Sequence, residues 1–197
     1  MRAEAPALLP ILRSQSQADL LTLLLLHPGT EYSITELSEK LSVPLTTVQR
    51  EVNRFLEVGL ITERRAGRTR EVSANPKSRY ARSLTELLTL AFGPHIVIGE
   101  EFADIPAAGI AIHGSWAARY NGVPGPAPAD VDVLVIGEPS RPDIYDAADR
   151  AEQRVGFPVN VTLSSPARWA AASDALIQQI RSSPVVWIFG PPEDPAP

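Results

Sequence analysis

Asp130 and Asp132 flank a single valine at the entrance to an apolar run, VDVLVI. Side chains two apart on a strand point to one face, so the spacing predicts two carboxylates projecting together at a loop mouth. Such a pair repels itself unless something positive sits between. A hard divalent cation with oxygen ligands, such as Mg²⁺, answers that need. Upstream, the apolar run IAIH ends in Gly114-Ser115, and WAARY follows as a short helix-compatible piece. Backbone N–H groups and a hydroxyl at the start of a helix suit a phosphate. His113 directly precedes Gly114 and reads as a structural histidine at a strand end.

Strand, Gly-Ser, helix, then Asp-x-Asp on the next strand resembles the nucleotidyltransferase domain of the DNA polymerase beta superfamily, especially the minimal nucleotidyltransferases. The resemblance covers roughly residues 93–190. It implies Mg²⁺ on Asp130 and Asp132, which would also be the catalytic acids, and a nucleoside triphosphate near Gly114, Ser115 and Arg119. Two departures stand out. Arg119 replaces the glycine of the family's GSxxxG pattern, and Asn160, in the strand FPVNVTL, takes the place of a third acid. Asparagine is neutral and cannot serve as a general base. A transfer site short of one carboxylate loses charge compensation as well. The expectation is a domain that binds a nucleotide and transfers it weakly or not at all. The alternative is an active Mg-dependent nucleotidyltransferase acting on a small molecule or partner protein. It needs another acid, such as Asp104 or Asp174, beside the pair.

The chain has no cysteine, which excludes disulfides, thiolate zinc sites and cysteine nucleophiles. His27, His95 and His113 lack metal-ligand spacing. The Leu20–Leu26 run is too short to span a bilayer and lacks the flanks of an export signal. No membrane association and a cytoplasmic location are expected. The net charge of −5 hides an asymmetry: residues 1–92 carry 12 Lys/Arg against 10 Asp/Glu, and residues 93–197 carry 6 against 13. Arginines crowd positions 64–70, giving the local positive charge that a DNA-contacting face requires.

Those arginines follow a recognisable order of elements. QADLLTLLLLH predicts an apolar helix stopped by Pro28-Gly29, and Glu31-Tyr32 a short strand. Ser33 and Glu36 form a capping box ahead of Ile34, Leu37 and Leu41. Pro44 opens a third helix with Val48, Val52, Phe55 and Leu56 as its buried stripe, and Gly59 ends it. LITERR and TREVSA read as strands around Ala66-Gly67-Arg68. Helix, helix, helix, hairpin over residues 15–80 resembles the winged helix of bacterial ArsR/MarR-type regulators. The resemblance implies double-stranded DNA as partner and a homodimer reading two half-sites. On the third helix the outward Thr46, Thr47, Gln49, Arg50, Asn53 and Arg54 suit base edges or phosphates. Arg64, Arg65, Arg68 and Arg70 suit phosphates or the minor groove, some of them alternating to the opposite strand face.

The expected fold class is α+β: a winged helix-turn-helix over residues 1–76, a linker helix over 77–92, a nucleotidyltransferase-like α/β domain with a mixed sheet over 93–190, and a disordered tail over 191–197. Tyr80, Leu84, Leu87, Leu88 and Ala91 form one apolar stripe on the linker helix. Helices are expected over 95–105, 143–155 and 175–181, and strands over 108–112, 131–136, 159–163 and 185–189. The expected function is a DNA-binding transcriptional regulator with a nucleotide-sensing second domain.

Overall fold

The computed structural model describes residues 12–172 and 174–190, so the expected tail lies outside the described residues. The chain is α+β, about half helical, and divides into two compact units, Met1–Gly93 and Pro94–Pro197. No described helix is long and apolar enough to cross a membrane.

The first unit runs α1 (Gln15–Leu26), β1 (Tyr32–Ser33), α2 (Ile34–Leu41), α3 (Leu45–Glu57), β2 (Ile61–Ala66), β3 (Thr69–Ala74) and α4 (Ala81–Phe92). The capping box forms: Ser33 Oγ accepts from Glu36 N, and Glu36 accepts from Ser33 N. Pro44 sits one position before the helical turn expected for it, as the N-cap of α3. Val58 is the C-cap of α3, and Gly59 follows at φ 68. Leu20, Leu24, Leu37, Val52, Phe55, Ile61, Val72 and Leu88 close a single core.

The helix read as a linker belongs to this unit. It starts at Ala81 and packs on α1, with Leu88 in the core and Leu84 and Phe92 against it. Spacing of four along α4 therefore selects the buried line. Tyr80 and Leu87, placed on the same stripe from sequence, are half exposed instead.

The second unit runs α5 (Pro94–Glu101), β4 (Gly109–His113), α6 (Gly114–Tyr120), β5 (Val131–Ile136), α7 (Arg141–Val155), β6 (Val159–Ser164), α8 (Pro166–Ala171), α9 (Ala175–Ser182) and β7 (Val186–Phe189). Its sheet has the order β6-β5-β4-β7. β5 and β6 are parallel, and the other pairs are antiparallel, so the sheet is mixed. The parallel pair needs a crossover, which α7 supplies. The buried Leu134 and Ile136 on β5 cluster with Trp169, Ile177 and Ile180 of α8 and α9. Asp132 continues the same strand face beyond that cluster.

Candidate functional site

On α3, Val48, Val52 and Phe55 are buried, which turns Thr46, Gln49, Arg50 and Asn53 to solvent. Thr47 and Arg54 are half-buried. Glu51 shares the inner stripe and is 4% exposed. A buried carboxylate must be paired. Its Oε1 accepts from Arg54 Nη1 at 2.6 Å and Arg50 Nε at 3.4 Å, and its Oε2 accepts from Gln17 Nε2 of α1 at 3.1 Å. Sequence reasoning missed Glu51. The signal was its position, three after Val48 and four before Phe55, where a charge can only be buried with a partner.

The hairpin turns in two residues. Gly67, at φ 60, supplies the positive φ that the first turn position of a tight hairpin demands. Ala66 thus pairs with Thr69 inside the ladder rather than forming part of the tip. Opposed residues share a face. The pairs Ile61↔Ala74, Glu63↔Val72 and Arg65↔Arg70 therefore lie on one side, with Ile61 and Val72 rooted in the core. Arg70 Nε donates to Glu63 at 2.6 Å, and its Nη2 donates to Asn53 Oδ1 of α3 at 2.9 Å. That second bond places the hairpin's inner face beside the exposed face of α3. Arg64 lies on the other face, bound to Glu31 and Glu71. Its hydrogen bonds hold the Glu31 carboxyl below the ordinary range. Arg64 is thus a fastening of the hairpin to the β1 segment, one of the arginines expected to alternate to the opposite strand face, while Arg65 and Arg70 share the face beside α3.

In the second unit the parallel register sets Asp132 directly beside Asn160, and the antiparallel register sets His113 opposite Asp132. Asp130 lies one residue before β5, in the loop, yet it joins the group. Asn160 Nδ2 donates to Asp130 Oδ2 at 3.0 Å and to Asp132 Oδ1 at 3.3 Å. The neutral amide stands between the two carboxylates. Gly114, at φ 71, lies under Asp132: a Cβ there would collide with Asp132 Oδ2. Burial keeps His113 below the ordinary histidine range, and the nearby Asp132 opposes that only in part. His113 Nε2 is buried without a hydrogen-bond partner.

Ser115 is exposed at the start of α6, and Arg119 does not join it. Its Nη2 donates to Pro126 O at 3.3 Å, against Gly125 of the proline-rich loop. Of the expected nucleotide contacts, only Gly114 meets the carboxylates. No family model matches the chain, and no curated protein matches it.

The pair offers a cation two carboxylates and one neutral amide. Among the described residues no three of His, Cys, Asp and Glu come together to hold a metal. In this arrangement Asn160 turns its N–H groups to both acids; turned over, it would present its oxygen there, but no third negative charge. Neither alternative acid fills the gap. Asp174 caps α9 and pairs with Arg168, which holds its carboxyl below the ordinary range. Asp104 precedes β4, at the opposite end of that strand from His113. The sequence reading also passed over α8, whose signal was Ser165 as N-cap with Pro166 in the first turn.

Proposed function

We propose that the chain is a DNA-binding transcriptional regulator, with a winged helix over the first unit and a nucleotidyltransferase-like second unit that senses a nucleotide without transferring it. The observation that carries this reading is the Arg70–Asn53 hydrogen bond. It joins the hairpin to the third helix, which brings Arg65 and Arg70 on the hairpin's inner face together with Gln49, Arg50 and Asn53, with Arg68 at the turn. Polar side chains on a helix suit base edges, and guanidinium groups on a flanking hairpin suit phosphates. Arg65 and Arg68 carry no carboxylate partner among the described ion pairs, unlike Arg64 and Arg70. Their charge is free to displace counterions from DNA. Two copies of the chain would read two half-sites.

Silence in transfer is argued from Asn160. A site whose third member is a neutral hydrogen-bond donor lacks the base and the metal ligand that the chemistry uses. A nucleotide in the second unit would act on DNA binding only through unequal affinity for two conformations of the chain.

The test is a titration of duplex DNA over a range of salt concentrations with wild type and the Arg65→Ala/Arg68→Ala double variant. The log–log salt slope should fall by about 2 in the variant, about one per phosphate contact removed. An unchanged slope would take the hairpin out of the interface.

A further inference from the structure

Glu51 is more than a buried acid that found partners. Its side chain is 5% exposed, while those of Arg50 and Arg54 are 61% and 40% exposed. Each arginine therefore spends one N–H on the interior and keeps the rest outside. One carboxylate oxygen takes both guanidinium groups, and the other is fixed by Gln17 on α1. The acid is anchored to a second helix, so it cannot follow a moving arginine. Guanidinium groups are planar and present their donors as a rigid fork. One bond to a fixed acceptor narrows the directions in which the remaining donors can point, more tightly for Arg54 at 2.6 Å than for Arg50 at 3.4 Å.

We propose that Glu51 is a specificity-determining positioning residue, which aims Arg50 and Arg54 from α3 at a DNA duplex. This rests on the DNA-binding reading above. A long, flexible arginine loses rotamer freedom on binding, and ordering it beforehand removes that cost from the binding step. The saving is realised only where the fork meets matching acceptors in the right direction. Phosphates are present on every sequence, whereas a base edge with two acceptors is not. Glu51 also subtracts one negative charge's worth of attraction from the whole surface. Its effect on any DNA is thus mildly adverse, and its effect on the preferred DNA is favourable. A residue that merely held the fold would alter both alike.

The experiment uses the full chain. Duplexes are first selected in vitro from a random pool by the wild-type protein. Affinity for selected duplexes and for the unselected pool is then measured for wild type, Glu51→Gln and Arg54→Lys. Glutamine keeps the shape and removes the charge; lysine keeps the charge and removes the fork. Both variants should lose about tenfold in the ratio of selected to unselected affinity, the loss of about one well-made contact. Glu51→Gln should bind the unselected pool as tightly as wild type or more tightly. Arg54→Lys keeps the question open to refutation if Glu51→Gln fails to fold, because Arg54 is half-exposed and lysine keeps its charge beside Glu51. An unchanged ratio in a folded variant, or equal loss on both kinds of DNA, would overturn the proposal. A wild type that selects nothing from the pool overturns the DNA-binding reading itself, which is a separate result.

Discussion

Two clusters of acids in this chain, one in each unit, are settled in different ways. Along α3 and the hairpin of the first unit the partners are guanidinium groups: Arg54 and Arg50 for Glu51, Arg64 for Glu31 and Glu71, and Arg70 for Glu63. At the acid pair of the second unit, Asp130 and Asp132 are answered by the amide of Asn160, with His113 opposite Asp132, although elsewhere in that unit Glu101 and Asp174 do take arginine partners. A cation that neutralises an acid can still offer its remaining donors to an outside anion. An amide that bridges two acids satisfies their hydrogen bonding and leaves both charges in place. The first arrangement suits the polyanion proposed above, and the second keeps two negative charges side by side at the end of β5.

The largest effect is expected from converting the second arrangement into a site that needs an ion. Asn160→Asp removes the bridging donor and adds a third carboxylate. The second unit should lose roughly 1–3 kcal/mol without divalent cations, the cost of hydrogen bonds to charged groups left unmade. Mg²⁺ should restore the loss, because three oxygen-bearing acids now surround one position. Thermal denaturation with and without Mg²⁺ reads this out. A variant as stable as wild type, or one indifferent to Mg²⁺, would show that the amide is not what holds the pair.

A smaller effect is expected from Arg64→Ala, which takes the guanidinium from Glu31 and Glu71. Exposed ion pairs contribute little, so the thermal midpoint should fall only slightly. The salt slope of DNA binding should not change, because Arg64 faces away from α3. A drop in slope equal to that of a hairpin-tip arginine would erase the distinction between the two faces.

The smallest effect concerns His113, whose burial depresses its folded-state pKa. Below about pH 6.5 the unfolded chain takes up a proton that the folded chain resists. Stability of the second unit should therefore decline as pH falls through that value and level off beneath the lower folded-state pKa. Denaturant titrations at successive pH values on wild type and His113→Gln should show the decline in wild type alone. Identical pH profiles would mean that Asp132 offsets the burial completely.

The elements were legible wherever local chemistry set them. Ser33 and Glu36 announced a helix start, Gly67 a hairpin turn (though one residue shorter than the tip expected), and Gly93-Pro94 the boundary between units. The meeting of Asp132 with Asn160 was legible only through the resemblance, which set a third residue beside the pair; the parallel register that achieves it came from the structure. What could not be read was the direction of long side chains. Arg64 and Arg65 are neighbours in a basic run, and only the pairing register shows that one fastens the hairpin while the other is displayed. Arg119 sat at helical spacing from Ser115, yet the loop beyond α6 captured it. Glu51 was masked by the polar composition around it.

Gly114 carries a consequence for how this chain can vary. Its positive φ already disfavours a side chain, and the Asp132 carboxylate fills the space where one would grow. The two positions belong to different strands' ends but occupy one volume. The dependence runs one way: a larger residue at 114 displaces the Asp132 carboxylate from its place beside Asn160, whereas a smaller residue at 132 leaves Gly114 undisturbed.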